Sequence, residues 1–243
     1  MSRGETTTDG QKIPKRIHYC WFSKDKMPPL NQKCVDSWKR CLPEYELVCW
    51  DRGRVDSLNA RFAQEACSVR AWAFAADYVR LHALFHEGGV YLDSDVEVLR
   101  PFDPFLHHSA FSSIEHWPEL DAIGIEGAIL GAERGQPWIG KCLDYYDNRP
   151  FLNSKGERDE TIVSGIIADI AAEQFGFSFR VEQQELPTGI CIYPPVVFTH
   201  VSGPFSAEVT CAVHHCAGSW RQTRKPSIQR RLGRWIRRRL SLR

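Results

Sequence analysis

The sequence lacks the cysteine patterns that mark disulfide scaffolds and zinc ribbons. Its nine cysteines are odd in number, none forms a CxxC pair, and most lie inside apolar stretches. Secreted disulfide-rich domains usually pair an even number of cysteines, and zinc ribbons bring closely spaced pairs together. We therefore predict reduced, buried thiols in a cytoplasmic protein.

The sequence also lacks internal repeats, low-complexity tracts and a glycine-rich phosphate loop. A transmembrane helix needs about 20 consecutive apolar residues, more than any apolar run present. Residues 1–12 are polar and do not resemble a signal peptide, so we expect a loose leader there. A chain of 243 residues with 43% hydrophobic and 25% charged side chains is typical of a globular protein and suits one sizeable α/β domain.

The net charge of +1 hides an uneven distribution. Ten of the 31 basic residues and none of the 30 acidic residues lie in residues 221–243, so the rest of the chain is acidic. Five apolar residues in this tail recur at helical spacing, namely Ile228, Leu232, Trp235, Ile236 and Leu240. A basic helix with one apolar face suits an anionic membrane, so residues 226–242 predict peripheral attachment to the inner face of the membrane. The alternative is a helix packed on the protein's own core or on a second subunit.

The most informative stretch runs from residue 70 to residue 101. Its first half has apolar residues three and four positions apart, which predicts an amphipathic helix. Gly88 and Gly89 end this helix, because glycine accepts the left-handed backbone conformation. Residues 90–92 then predict a short buried strand, which Asp93 and Asp95 follow.

Asp93 and Asp95 suggest a divalent-metal site. In an extended chain alternate side chains point to the same side, so both carboxylates would face one spot. Two carboxylates repel each other unless a proton or a cation lies between them, and oxygen ligands suit Mg²⁺ or Mn²⁺. Asp77 and Arg80 are three residues apart on the preceding helix, so they share a face that could reach the same ligand. The pattern predicts a metal that holds a phosphorylated ligand at the end of a strand.

This stretch resembles the sugar-binding DXD region of glycosyltransferase family 32. That family includes bacterial capsular-polysaccharide sugar transferases and the yeast initiating mannosyltransferase. The segments similar to the family, in the family's order, are residues 13–22, 37–38, 43–46, 50–51, 77–95, 214–215 and 218–220. A lone DXD triplet is common by chance, whereas the ordered set is specific. The resemblance covers residues 13–220, which we predict to be one domain between the leader and the basic tail.

The resemblance implies an α/β fold of the GT-A type, a single Rossmann-like domain with a mixed central sheet flanked by helices. It also implies an enzyme, a hexosyltransferase that depends on Mn²⁺ or Mg²⁺. The expected partners are a UDP- or GDP-sugar donor and a glycan or lipid-linked acceptor. Transfer is expected to retain the anomeric configuration and to serve surface polysaccharide synthesis.

The resemblance further implies roles for individual residues. Asp95 is expected to bind the metal directly, and Asp93 to bind the metal and the sugar or ribose hydroxyls. Arg80 is expected to hold the sugar or a phosphate, and Asp77 a sugar hydroxyl. The other expected donor contacts are Trp21 and Tyr91 near the base, and Ser219 and Trp220 at the diphosphate. The alternative for Trp21 is a tryptophan of the core.

A third metal ligand is expected near the end of the domain. His214 and His215 are adjacent, and neighbours on a strand face opposite sides, so only one is expected to bind. We predict His215, because its spacing to Trp220 matches that of the last metal ligand in toxin-like relatives, where the position is acidic. Glu126 lies in a glycine-broken apolar run, residues 123–131, and is a further candidate for contacting the sugar. The alternative for that run is a bulged core strand.

Two other functions are compatible with the aspartates. In phosphotransferases of the haloacid-dehalogenase type a DxD also follows an apolar strand, and its first aspartate, here Asp93, is phosphorylated. The usual small residues after that motif are replaced here by Val96 and Glu97. Alternatively, the aspartates form a structural cation site in a non-enzymatic protein whose arginine-rich tail binds nucleic acid. No nucleic-acid fold signature accompanies the tail, so nucleic acid is not an expected partner.

Overall fold

The computed structural model describes residues 10–217. The predicted basic helix and the donor-binding candidates Ser219 and Trp220 lie outside the described residues, as does most of the predicted leader. The predictions for these segments are therefore not addressed by the fold.

The strands of the described chain divide into two sheets. In chain order they are β1 (Arg16–Cys20), β2 (Glu46–Trp50), β3 (Gly89–Leu92), β4 (Val96–Val98), β5 (Ala110–Trp117), β6 (Ala122–Ile125), β7 (Ile129–Ala132), β8 (Gln184–Leu186), β9 (Ile190–Tyr193), β10 (Phe198–His200) and β11 (Ala212–His214). The larger sheet has the order β2-β1-β3-β7-β5-β9-β8, with β6 paired to β5. The smaller sheet has the order β10-β11-β4.

The larger sheet is mixed. β1 is parallel to both β2 and β3, whereas β3 is antiparallel to β7. β5 is antiparallel to β7 and parallel to β9. This arrangement confirms the predicted α/β fold with a mixed central sheet. Because β3 lies inside the sheet, the aspartates that follow it emerge among the ends of neighbouring strands, where ligands bind in open α/β sheets.

Six α-helices accompany the strands in the described chain. They are α1 (Pro29–Cys41), α2 (Arg52–Ser57), α3 (Arg61–Ser68), α4 (Trp72–Glu87), α5 (Pro137–Asp144) and α6 (Val163–Gln174). The apolar residues of α1 recur at helical spacing, and Cys34, Val35 and Trp38 among them are buried. Helix α2 begins directly after Asp51. The Asp51 Oδ1 atom accepts the Arg54 N–H at 2.9 Å, which satisfies an otherwise unpaired donor of the first turn.

Apolar cores cover both faces of the larger sheet. Strand alternation divides β3 between them: Val90 and Leu92 pack in one core and Tyr91 in the other. Helices α3 to α6 cover the Tyr91 face. Helix α1 and the small sheet cover the opposite face, where the Trp38 indole N–H donates to the Val96 carbonyl at 2.7 Å.

Two glycines fix the passage from α4 into β3, as predicted. Gly88 has φ 68° and Gly89 has φ 117°, in the region that side chains rarely adopt. A Cβ atom at Gly89 would lie 2.7 Å from the Arg16 carbonyl oxygen, so the close approach of β1 also requires glycine. Among the helices of the described chain, none combines the length and the apolar character that crossing a bilayer requires.

Candidate active site

Asp93 and Asp95 lie in a tight turn and not in an extended strand. β3 ends at Leu92, β4 begins at Val96, and the Val96 N–H donates to the Asp93 carbonyl at 2.9 Å. The strand alternation used to predict a shared direction therefore does not apply. The carboxylates nevertheless converge, with one oxygen of each in a cluster whose atoms lie within 4.8 Å of one another.

The third member of this cluster is His214, which corrects the prediction of His215. The Nε2 atom of His214 is 3.6 Å from Oδ1 of Asp95. His214 lies opposite Val96 in the antiparallel ladder of β4 and β11, so the register brings it beside the aspartate turn. His215 follows the end of β11, and its Nε2 atom lies 3.0 Å from Oε2 of Glu97. The side chains of His214 and His215 have different neighbours, as expected for adjacent residues at a strand end. The spacing to Trp220, from which His215 was predicted, selects the histidine that lies outside the cluster.

Arg80 connects helix α4 to the aspartate turn. Its guanidinium donates to Oδ1 of Asp77 at 2.8 Å and Oδ1 of Asp93 at 3.4 Å, and it also donates to the Gly127 carbonyl. Only 4% of its surface is exposed. Burial lowers the pKa of Arg80, but Asp93, Tyr91 and Asp77 outweigh this effect and raise the pKa above its ordinary value. Arg80 is therefore a fixed cation beside the metal cluster.

Tyr91 orients Asp93, and the structure corrects its predicted contact with a base. Its hydroxyl donates to Oδ1 of Asp93 at 2.9 Å, and its ring lies against the guanidinium of Arg80 at 4.7 Å. Only 1% of its surface is exposed, so no ring face is free for stacking. Burial also raises the pKa of Tyr91 well above its ordinary value, which keeps the hydroxyl protonated as a donor.

Trp21 lies directly after β1 and remains partly exposed. Its backbone N–H donates to the Trp50 carbonyl at 3.0 Å, and its indole N–H donates to the Asp25 carbonyl at 3.1 Å. Both contacts hold the ring at the end of the strand. Trp21 is thus positioned as a stacking platform, and its contact with a base stays a prediction.

One cleft collects the candidate residues that the structure describes, with the exception of His215. Its volume is about 370 Å³. The predicted residues that line it are Trp21, Asp77, Arg80, Tyr91, Asp93, Asp95 and Glu126, and His214 lines it as well. The cleft lies at the end of β3, so residues from both ends of the chain meet at one place.

Glu126 lies on the other side of the His214 ring from Asp95. Its Oε1 atom accepts the Ala128 N–H at 2.8 Å and lies 3.6 Å from Nδ1 of His214. Burial raises the pKa of Glu126, but His214 and the Ala128 N–H outweigh burial and hold the pKa below its ordinary value. Burial lowers the pKa of His214, whereas Glu126 raises it well above the ordinary value. Glu126 therefore lies beside the histidine ring as a carboxylate, within ion-pair distance of Nδ1 but without a hydrogen bond to it.

Sequence reasoning missed a second group of cleft residues. Glu115 and Trp117 from β5 and Ser164 from α6 also line the cleft. Glu115 and Trp117 are two residues apart, so strand alternation puts them on one side of β5. Nothing in the sequence indicates that this side faces the cleft, because that depends on where α6 packs.

The clustered donors fit a divalent cation. Ligands of an octahedral Mg²⁺ or Mn²⁺ lie about 2.1 Å from the ion and hence about 3 Å from their neighbours. The three ligand atoms are already within 4.8 Å, so small side-chain rotations suffice to bring them around one ion. The imidazole nitrogen added to two carboxylates favours Mn²⁺ over Mg²⁺.

The family comparison agrees with this geometry. Residues 28–112 match the family model described as the glycosyltransferase sugar-binding region containing the DXD motif. The match includes α1, α4 and the Asp93–Asp95 turn. Residues 28–112 therefore carry a sugar-binding region of the DXD glycosyltransferase type. This match favours a sugar transferase over the phosphotransferase and non-enzymatic alternatives.

Curated relatives of the glycosyltransferase domain include mannosyltransferases. Inositol phosphoceramide mannosyltransferase 3 of Schizosaccharomyces pombe is 30% identical over 134 residues, which cover 52% of this chain and 35% of that protein. Mannosyl phosphorylinositol ceramide synthase SUR1 of Saccharomyces cerevisiae is 28% identical over 156 residues, covering 58% of this chain and 37% of that protein. The matched part is thus only 35% to 37% of the length of these relatives.

A solved structure shows the same fold as the glycosyltransferase domain. The PaToxG glycosyltransferase aligns with a TM-score of 0.53 and 17% identity, over 68% of this chain and 70% of that chain. Identity at this level shows the fold alone, which is GT-A as predicted. The assignment to family 32 in particular stays a prediction.

Proposed function

We propose that this protein transfers a sugar from a nucleotide-sugar donor to a glycan or lipid-linked acceptor and that the reaction depends on Mn²⁺ or Mg²⁺. The observation that carries this proposal is the cluster of Asp93, Asp95 and His214 in a cleft that also contains the fixed cation Arg80. Such a site suits a diphosphate, because its negative charge needs both a metal and a cation nearby.

Asp93, Asp95 and His214 are the residues that hold the metal in this proposal. A divalent cation held by these residues would neutralise the charge that develops on the departing diphosphate. The chain orients its ligands in advance: Oδ2 of Asp95 accepts the Ala217 N–H at 2.8 Å, and Tyr91 orients Asp93. Ligands held in this way lose little entropy when the ion binds.

Arg80, Asp77 and Trp21 hold the donor in this proposal. The guanidinium of Arg80 adds positive charge beside the cluster, and burial strengthens its interaction with a phosphate or sugar oxygen. Asp77 lies within hydrogen-bond reach of Arg80 and lines the cleft, so it can accept a sugar hydroxyl. The partly exposed ring of Trp21 offers a surface for the base.

The names of the curated relatives guide the choice of substrate. Both relatives are named for mannose and for lipids that contain inositol, phosphate and ceramide. We infer mannose as the first sugar to test, with GDP-mannose as donor and a lipid-linked acceptor. Retention of configuration, surface polysaccharide synthesis and peripheral attachment to the inner membrane face belong to the same proposal, supported by the family resemblance and by the basic tail in the sequence.

Donor binding tests the proposal directly. Thermal unfolding is followed with a panel of UDP- and GDP-sugars, each with Mn²⁺, with Mg²⁺ and with EDTA. A raised Tm with one donor and metal, and its loss in EDTA, is the expected result, because a ligand that binds only the folded state stabilises it. Released nucleoside diphosphate is then measured with the selected donor.

Asp36→Asn is the matched control for Asp95→Asn in this assay, because Asp36 is exposed on α1. The control should respond to donor as the unmodified protein does, whereas Asp95→Asn should not. Donor binding that is unchanged by EDTA and by Asp95→Asn would contradict the metal-dependent mechanism.

A further inference from the structure

We propose that the carboxylate of Glu115 accepts the proton of the attacking acceptor hydroxyl. This inference rests on the proposed glycosyl transfer and names a catalytic residue for it. It is supported by the position of Glu115 in the cleft, by its surroundings, and by its difference from the neighbouring Glu126.

Glu115 reaches the cleft from the second half of β5. It pairs with Gly124 of β6, so no cross-strand side chain covers it. A Cβ atom at Gly124 would lie 3.6 Å from Oε2 of Glu115 and 3.4 Å from the Ser164 carbonyl oxygen. Glu115 therefore lies between β6 and the start of α6, and it lines the same cleft as the metal cluster.

Trp117 completes this part of the cleft. It is two residues after Glu115 on the same side of β5, and its ring stacks on His200 with centroids 4.2 Å apart. Its buried indole N–H is close enough to Glu115 to affect the pKa of that carboxyl, but it makes no well-formed hydrogen bond within the described residues. A buried donor without a good partner costs free energy, so an oxygen of a bound substrate is a suitable partner. A carboxylate and an available N–H donor thus face one substrate-sized space.

The two glutamates of the cleft have different chemistry. Burial and the negative charge of Glu126 raise the pKa of Glu115 to about 7, while Ser164 and Trp117 oppose the rise. Glu126 instead is held as a carboxylate by its contacts with His214 and the Ala128 N–H. A general base works best when its pKa is near the working pH, so Glu115 is suited to proton transfer and Glu126 is not.

The charged or titratable groups that act on Glu115 come from two other elements. Glu126 belongs to the turn between β6 and β7, and His214 and Cys216 belong to the end of β11 and the segment after it. Ser164 of α6 is uncharged. A pH profile of transfer must therefore separate Glu115 from the histidine.

The proposed step balances without any further reactant. The acceptor oxygen forms a bond to the anomeric carbon on the face that the diphosphate leaves, which gives the proposed retention, and the bond from that carbon to the diphosphate oxygen breaks. The electron pair of the broken bond leaves with the nucleoside diphosphate. The hydroxyl proton passes to Glu115, which returns it to water before the next turnover.

Glu115→Gln tests the proposal, because it keeps the shape and removes the base. Transfer is measured with saturating donor and Mn²⁺ from pH 5.5 to 9, and donor and metal binding are measured separately at each pH. We expect kcat to fall by about 10²- to 10⁴-fold, the usual contribution of a general base, while donor and metal affinity change little. Glu119→Gln is the matched control, since Glu119 follows β5 but is exposed.

The pH profile provides a result that a structural role would not produce. Transfer by the unmodified protein should fall below a pH of about 7 as Glu115 becomes protonated, and this limb should be absent in Glu115→Gln. Glu115→Asp should keep the limb at a reduced rate, because a shorter carboxylate remains. A Glu115→Gln protein with unmodified kcat, or with the unmodified pH limb, would overturn the inference. Absence of transfer by the unmodified protein with every donor would instead overturn the proposed function.

Discussion

The Nε2 atom of His214 lies 3.6 Å from Oδ1 of Asp95, although the two residues come from opposite halves of the chain. The antiparallel ladder of β4 and β11 creates this proximity, because it pairs His214 with Val96. The metal cluster therefore depends on the small sheet as much as on the DXD stretch. Most of the following predictions test this site and its surroundings.

Asp95→Asn and Asp93→Asn should each reduce kcat by at least about a hundredfold, the usual cost of losing one stabilising group at developing negative charge. In the Asp95→Asn protein the amide oxygen of the new side chain can still accept the Ala217 N–H, so the fold should survive. Circular dichroism and thermal unfolding check the fold, and nucleoside diphosphate release measures the rate. Near-normal turnover by a folded Asp95→Asn protein would contradict the assignment.

His214→Ala should weaken Mn²⁺ binding by about 10- to 100-fold, because it removes the nitrogen ligand. His215→Ala is the matched variant: it removes the neighbouring ring, which contacts Glu97 instead of the cluster. Its Mn²⁺ affinity should remain close to that of the unmodified protein. Titration with Mn²⁺, followed by electron paramagnetic resonance, measures the Mn²⁺ affinity of both variants. A larger loss of affinity in His215→Ala than in His214→Ala would identify His215 as the ligand.

Arg80→Lys should lower both stability and activity, because lysine cannot replace the contacts of Arg80. The guanidinium contacts Asp77, Asp93 and the Gly127 carbonyl together, and an ammonium group cannot reproduce this fork. Arg80→Ala should destabilise the fold by roughly 3–5 kcal/mol, because it removes the buried cation that neutralises Asp77 and Asp93. Urea unfolding of both variants measures the loss, which should be smaller for lysine. A fully stable, fully active Arg80→Lys protein would show that the fork is not needed.

Glu115→Gln should stabilise the protein at high pH. The folded pKa of Glu115, about 7, lies above its ordinary value of 4.5, so the folded state favours the protonated form. Its contribution to stability is full below pH 4.5 and is lost as pH rises through 7. Glutamine does not ionise and avoids this loss. The free energy of unfolding of Glu115→Gln, relative to that of the unmodified protein, should therefore grow by roughly 1–3 kcal/mol between about pH 5 and about pH 8. Urea unfolding at both pH values tests this, and an advantage that is independent of pH would contradict the raised pKa.

The basic tail should attach the protein to anionic vesicles. Ten basic and no acidic residues in residues 221–243 predict salt-sensitive binding, with each arginine contributing about 1 kcal/mol near an anionic surface. Sedimentation with phosphatidylglycerol vesicles at low and high salt compares the full chain with a chain ending at Arg224. Phosphatidylcholine vesicles are the control. Equal sedimentation of the two chains at low salt would contradict a membrane role for the tail.

Local features of the sequence predicted the fold well. Helix α1 and the end of helix α4 can be located from the sequence alone, because apolar spacing and the two glycines determine the backbone within a few residues. The three-residue strand β4 was missed, because it is too short to show a periodic pattern and forms only through pairing with β11. Without β4, the residue opposite it could not be identified, and His215 was predicted in place of His214. Glu115 was missed for a related reason, since only the packing of α6 shows which side of β5 faces the cleft.

The pairing of β4 with β11 also has a consequence for the order of events during biosynthesis. A nascent chain that has emerged only through α6 already contains Asp93 and Asp95 but not His214, so it cannot assemble the three-ligand site. A divalent ion bound by all three residues would close a long loop, and that closure is possible only after β11 has paired with β4. High-affinity metal uptake should therefore report that β11 has left the ribosome and joined the small sheet.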